Sequence, residues 1–311
     1  MSNSSDLGKK GFAEGFWSKE EVKDVFLDEQ REYLFNEDYF GNVLVPLFRL
    51  KRDSVVLDVG CGLGFIGMKL AGLVPEGKII GVDLDPKLVE EAKKRAEARR
   101  VRNVEFQVGD AYRLPLSDES VDLSICQTLL MHLDESAKGI KEMQRVTKKG
   151  GRVVAVEPNY ASLSFFDTVY EAMGLSLEEK TKLWRWDRIL ALGKRKLGRG
   201  DNDIGLRVPY LFHESGLRVL DVRCLDRVFY LVPPYEGHEL ELKHMLLPPD
   251  EVFKHLDMRS EFLAGGGTEK EWEEYLRIMM TAFEMQRKQV EEKTFVSVIF
   301  QAAIVTVAEK V

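Results

Sequence analysis

The sequence predicts an α/β protein built on a buried, mostly parallel sheet, and three observations carry that prediction. From Ser54 onward, short β-branched apolar runs alternate with stretches of helical periodicity. The apolar runs are continuous, as strands covered on both faces require. A glycine-rich turn follows the first of them, where such a sheet hands over to its first helix.

Each element follows in order. The chain opens on a polar stretch to about Gly15. Ser18 with Glu21 forms a capping-box signature ahead of Val22, Val25, Phe26 and Glu29 at helical spacing, and a second helical stretch runs from about Asp38 to Leu50. Residues 1–50 are thus read as an N-terminal helical cover. A strand at Val55–Val59 leads into a helix at Phe65–Ala71, and Lys78–Asp83 is a second strand. Asp85 caps the next helix, with Pro86 at its first position and Leu88, Val89, Ala92 and Ala96 on one face. Val104–Val108 and Val121–Gln127 are strands, a helix covers about Ser136–Thr147, and a Gly150-Gly151 turn enters a strand at Arg152–Glu157. About Asn159 to Asp203 reads as helical, Leu217–Val222 as a strand, and about Pro233–Gly267 as a proline- and glycine-rich segment. Thr268 with Glu271 opens a long helix carrying Trp272, Tyr275, Leu276, Met279 and Phe283 on one face, and Phe295–Val307 closes the chain as one apolar strand. Residues 51–311 read as one α/β domain with insertions at about 160–204 and 234–293.

Composition narrows the function. The 311 residues hold 45 Lys and Arg against 52 Asp and Glu, a net charge of −7, which argues against a surface dedicated to nucleic acid. The first ten residues show no secretory pattern, and no apolar run approaches the ~20 residues that span a bilayer. Cys61, Cys126 and Cys224 lack metal-ligand spacing and read as buried free thiols, so a cytoplasmic protein without a metal site is expected.

The run from Val56 to Gly64, VLDVGCGLG, is the strongest local signal. Gly60, Gly62 and Gly64 let the backbone turn tightly and approach a ligand, and the following helix presents free N–H groups there. Gly62, Gly64 and Gly67 also spell the dinucleotide-binding GxGxxG, with Asp83 about 20 residues on. Asp58 tips the balance away from a dinucleotide, since a carboxylate there opposes a pyrophosphate but suits an ammonium or sulfonium.

DVGCGLG, GVDLDP, GDAYRLPLSDESVD and EMQRVTKKGGRVVAVEPN, in that order, resemble the successive motifs of class I S-adenosylmethionine-dependent methyltransferases. The flavour is that of the branch with quinone-biosynthesis and small-molecule methyltransferases. The likeness covers about Asp53–Asn159, and Gly205–Arg223 more weakly. It implies a Rossmann-like three-layer sandwich, with a seven-stranded mostly parallel sheet whose last strand is antiparallel, and helical insertions forming a lid. By the same resemblance, Asp58 and the Gly60, Cys61, Gly62 and Gly64 loop hold the methionine moiety of S-adenosylmethionine. Asp83 takes the ribose hydroxyls and Leu84 lies against the adenine. Asp110 accepts from the adenine amino group beside Ala111, and Gln127 lies near the methionine end. S-adenosylhomocysteine is the implied product, a small molecule the implied acceptor, and a homodimer is left open.

Methyl transfer needs alignment more than a base. Glu157 and His132 are the candidate bases, on the edge of the sheet where ligands bind. His213 reads as a surface residue. The acceptor pocket is expected from aromatics: Phe12, Phe16, Trp17, Tyr33 and Tyr39 in the cover, and Trp184, Trp186, Phe229, Tyr230 and Tyr235 in the insertions. Trp184 to Gly200 carries Arg185, Arg188, Lys194, Arg195, Lys196 and Arg199 against Asp187 alone, which keeps an RNA or protein substrate as the alternative. A non-catalytic binding subunit is the third reading.

Overall fold

A computed structural model describes residues 39–225, 228–239, 242, 245–300 and 302–311. The expected helix after Ser18, and Phe12, Phe16, Trp17 and Tyr33, lie outside the described residues. The chain divides into two units, one of Met1–Asn159, Asn202–Asp226 and Ala302–Val311, the other of Tyr160–Asp201 and Arg227–Gln301.

In the first unit, β1 (Val55–Val59), β2 (Lys78–Asp83), β3 (Val104–Val108), β4 (Val121–Gln127) and β5 (Thr147–Pro158) run parallel. With β7 (Leu217–Cys224) and β10 (Ala303–Lys310) they form a seven-stranded sheet in the order β3-β2-β1-β4-β5-β10-β7. The last strand, β10, is antiparallel to both neighbours. Both faces of the central strands β1, β4, β5 and β10 are buried, which is why they read as apolar runs, while the edge strands β3 and β7 are largely exposed. Along β5, Val153 and Ala155 join one core with Leu57, Val59, Val121 and Cys126, while Val154 and Val156 join another with Val56, Ile79, Leu123 and Ile125. The first core is sealed by α4 (Ser136–Val146) and α7 (Val208–Glu214) through Ile140, Met143 and Phe212. The second is sealed by α1 (Val45–Phe48) and α2 (Phe65–Ala71) through Phe48, Ile66 and Leu70, with Leu44 just before α1.

The helix α3 (Pro86–Ala98) starts as its sequence prescribes, with the Asp85 carboxylate accepting from the Lys87 amide at 2.9 Å. The expected Gly150-Gly151 turn exists, but inside a longer strand. Val121 pairs with Thr147 and Leu123 with Arg152, so residues 148–151 bulge out, with Gly150 at φ 74°.

The second unit departs more from expectation. The stretch read as helical contains β6 (Ser164–Asp167) ahead of α5 (Thr168–Met173) and α6 (Leu177–Lys196). A further strand, β8 (Val228–Leu231), and two helices, α8 (Pro249–His255) and α9 (Met258–Gly265), precede the long α10 (Glu269–Glu291). The closing apolar run is two strands rather than one: β9 (Ser297–Phe300) pairs with β6 and β8, and β10 with β5 and β7. Nothing in that run punctuates it with glycine or proline, so the break is set by the partner strands.

The α10 capping box is present: the Thr268 amide donates to Glu271 at 2.9 Å, and Thr268 Oγ1 accepts from the Glu271 amide at 3.3 Å. Trp272, Tyr275 and Ile278 of this helix bury against Trp186, Phe253 and Phe262. Tyr275 stacks on Phe253 with ring centres 5.7 Å apart. The helices α6 and α9 cross in backbone contact. A Cβ on Gly193 would lie 1.6 Å from the Glu261 carbonyl oxygen, and one on Gly265 2.0 Å from that of Ile189. Gly193→Ala is therefore expected to lower stability by about 2 kcal/mol or more, as overpacking does. The check is the urea midpoint, and an unchanged midpoint contradicts the close crossing.

Candidate functional site

The strand order reverses between β1 and β4, and in open α/β sheets ligands bind outside the carboxyl ends of strands at such a point. Asp58 in β1, Asp83 ending β2, Gln127 ending β4 and Glu157 near the end of β5 all come to this edge, and Asp110 follows β3 by two residues. The fold brings together residues up to about 100 positions apart along the chain.

The glycine loop turns through left-handed backbone at Gly60, Gly62 and Gly64, with φ of 68°, 51° and 78°. The Gly60 and Cys61 amides both donate to the Val82 carbonyl, at 2.8 and 3.1 Å, which folds the loop back over the end of β2. Gly62 N–H donates to Asp83 Oδ2 at 2.8 Å, and the Asp85 N–H donates to Asp83 Oδ1 at 3.0 Å. Asp83 is thereby oriented at both oxygens, and an ionised carboxylate accepts at about four positions. Asp58 is 2% exposed and accepts from the Gly67 amide at 3.0 Å, tying β1 to the first turn of α2. Cys61 is buried against Met68, Val89, Ala92 and Phe106, so it supports the loop from below.

Leu84 is 43% exposed beside Asp83. Asp110 is exposed and turns the chain by accepting from the Tyr112 amide at 2.8 Å, with Ala111 half-buried between them. The Gly109 amide donates to the Asp83 carbonyl at 2.9 Å, holding this turn to the end of β2. Gln127 is the unusual member. It is 3% exposed, yet among the described residues neither its Oε1 nor its Nε2 has a hydrogen-bond partner. Leaving a buried amide unpaired costs about 1–3 kcal/mol, so such a group asks for a ligand.

The two candidate bases sit differently from what their positions suggest. Glu157 is fully buried, and its carboxylate accepts from three consecutive amides, Leu129 at 2.9 Å, Leu130 at 2.8 Å and Met131 at 3.2 Å. This is the geometry of a carboxylate that positions the loop after β4 rather than one that meets a ligand. Burial pushes its pKa up to about 7 against the pull of those amides. Burial and the nearby Glu157 and Asp58 charges also push the Cys126 thiol well up. Leu129, on the clamped loop, packs so closely on Gly60 that a Cβ there would lie 2.8 Å from its Cδ1. No sequence signal marks Leu129 as part of the site. His132 is half-buried in the turn Leu130–His132, its amide donating to the Leu129 carbonyl at 2.9 Å. His213 is exposed on α7.

The expected aromatics scatter. Trp186 and Tyr235 are core residues of the second unit, the Tyr235 hydroxyl donating to the Phe295 carbonyl at 3.0 Å, while Trp184 and Tyr230 are 62% and 53% exposed. Phe229 is half-buried in β8. Tyr39 donates to the Cys224 carbonyl at 2.9 Å. Cys224 itself is exposed, a correction to the expectation of buried thiols, because β7 is an edge strand. Three of the basic side chains meet acids outside the segment: Arg185 pairs with Glu271 at 2.5 Å, Arg195 with Asp201 at 3.0 Å, and Arg199 with Asp257 at 2.7 Å. Among the described residues no cluster of His, Cys, Asp and Glu could hold a metal, and no helix is long and apolar enough to cross a membrane.

Glu157→Gln leaves a donor facing the clamped amides and is expected to destabilise by about 1–3 kcal/mol. Glu157 holds its proton more tightly when folded, so its contribution to stability is complete below pH 4.5 and lost as pH rises through about 7. The stability difference between wild type and Glu157→Gln, measured by urea unfolding at pH 5 and pH 8, is thus expected to be larger at pH 5. Equal differences at the two values contradict the buried proton.

Residues 50–198 match a family model described as a methyltransferase domain. An uncharacterized 37.1 kDa protein in a Streptomyces fradiae transposon is 31% identical over 195 residues, which cover 62% of this chain and 54% of that protein. The demethylmenaquinone methyltransferase of Bacillus cereus is 33% identical over 122 residues, 39% of this chain and 52% of that enzyme. The uncharacterized methyltransferase YcgJ of Bacillus subtilis is 32% identical over 126 residues, 40% of this chain and 49% of that protein. The crystal structure of YcgJ shares the fold at a TM-score of 0.50 and 17% identity, covering 87% of this chain and 97% of that one. The chain spans about half the length of the curated relatives it matches. Residues 50–198, a little under half of the chain, are thus similar to methyltransferase domains.

Proposed function

We propose that the protein transfers a methyl group from S-adenosylmethionine to a small-molecule acceptor. The observation that carries this reading is Asp83, whose two oxygens are set by the Gly62 and Asp85 amides at the end of β2, ready to accept from a ribose diol. The remaining residues fit the same cofactor. The glycine loop is the cradle for the methionine part, with Asp58 behind it, and the buried amide of Gln127 meets the need of a polar ligand group beside it. Leu84 offers an exposed apolar surface for the adenine, and Asp110 with Ala111 its polar edge.

When bound, S-adenosylmethionine supplies a methyl group on a sulfonium, an activated leaving group displaced in line by the acceptor. The chain's own task is then to align acceptor and methyl carbon and to exclude water. Glu157 serves that task indirectly, by holding the loop that packs on Gly60. The ion pairs of the basic segment disfavour RNA as acceptor, since Arg185, Arg195 and Arg199 are engaged within the chain. The reading places the protein in the cytoplasm and leaves a homodimer open.

Calorimetry tests the cofactor. S-adenosylmethionine is expected to bind and NAD not to bind, and Asp83→Ala is expected to weaken binding roughly 100-fold through two lost charge-assisted hydrogen bonds. Binding of NAD in its place would sink the proposal. Gln127→Leu separates function from stability. It removes an unpaired buried amide, so the free protein is expected to melt at the same or a higher temperature while cofactor affinity falls about tenfold. A variant that binds normally removes Gln127 from the site. Turnover on pooled small metabolites, against salt-sensitive turnover on RNA, then decides the acceptor class.

A further inference from the structure

The second unit contains a cavity of about 230 Å³. It lies among α5, α8 and α10, with walls from Val252, Phe253, Met279 and Phe283, and Met245 also lines it. The space is a concave pocket partly open to solvent and lined mostly by apolar side chains, the form that small-molecule sites take. An apolar cavity of about 150 Å³ takes a benzene ring. By proportion this one suits roughly nine or ten non-hydrogen atoms.

The polar groups in its wall select the ligand. Asp167 caps α5, and its Oδ1 accepts from both the Val169 and Tyr170 amides at 2.9 Å. Gln286 is occupied, its Nε2 donating to the Met245 carbonyl at 3.2 Å. The Tyr170 hydroxyl is different: it donates to the thioether sulfur of Met279 at 3.7 Å, a weak acceptor. A ligand oxygen offers that O–H a better partner. Burial pushes the Tyr170 phenol up to about 12, so it remains a donor throughout the physiological range. The apolar walls oppose a charge of either sign, the Asp167 carboxylate adds to the case against an anion, and its Oδ1 is already engaged by two amides.

We propose that the second unit carries a ligand site of its own, for an uncharged, largely apolar molecule of about ten non-hydrogen atoms bearing one hydrogen-bond acceptor that meets the Tyr170 hydroxyl. Among the described residues, all of its lining side chains belong to the second unit. It stands whether or not the first unit transfers methyl groups.

A series of probes on one indane skeleton tests it on the full chain by calorimetry. 1-Indanone is neutral with one acceptor, indane lacks the acceptor, indane-1-carboxylate is an anion and 1-aminoindane a cation. 1-Indanone is expected to bind several-fold tighter than indane and than 1-aminoindane, and indane-1-carboxylate not to bind. Tyr170→Phe keeps the ring and its packing, and is expected to bring 1-indanone down to the level of indane without changing indane itself. Ala282→Leu places a larger side chain in the cavity and is expected to abolish binding of both while the melting temperature holds or rises. No binding of 1-indanone, tightest binding of the anion or the cation, or 1-indanone binding untouched by Tyr170→Phe would each overturn the proposal.

Discussion

Both faces of the central strands of the seven-stranded sheet are sealed by helices, and this double burial governs where chemistry can occur in the first unit. A strand covered on both sides has no room for charge along its length. Polar side chains that serve a ligand are pushed to the strand ends, and the reversal of strand order between β1 and β4 opens one end. Asp58, Asp83, Gln127 and Glu157 are all found there because the interior of the sheet would not tolerate them unpaired.

The edge is organised by carboxylates that accept from backbone amides. Asp58 binds the Gly67 amide, Asp83 those of Gly62 and Asp85, and Glu157 those of Leu129, Leu130 and Met131. Each such bond fixes the shape of a loop, and those made by an ionised carboxylate are charge-assisted and stronger than neutral ones. Leu129 on Gly60 links the loop after β4 to the loop after β1. The glycine loop thus rests on a loop that the Glu157 carboxyl group holds. Gln127 stands apart, as a buried amide whose hydrogen bonds the protein does not supply. Asp83 shows readiness for a ligand, and Gln127 shows need of one.

The second unit is held by different means. Its helices meet through an aromatic cluster, Trp186, Phe253, Phe262, Trp272 and Tyr275, and through the Gly193 and Gly265 crossing. Its acids and bases pair across long sequence separations, Arg185 with Glu271 and Arg199 with Asp257. A segment that reads as a basic run in one dimension is close to balanced in three.

The sequence by itself determined the five parallel strands, the glycine loop, the α3 and α10 caps and the acids of the edge. These are local properties, because continuous apolar runs, glycine conformation and capping side chains act within a few residues. The family resemblance added the antiparallel last strand. Only the tertiary structure decided what depends on distant partners. It split Phe295–Val307 between two sheets, because β6 and β8 claim one half and β5 and β7 the other. It made strands of Ser164–Asp167 and Val228–Leu231, which have no pairing partner within their own neighbourhood of the chain. It also turned Glu157 from a candidate base into the holder of a loop, since burial and the direction of three amides are facts of packing that no spacing along the chain encodes.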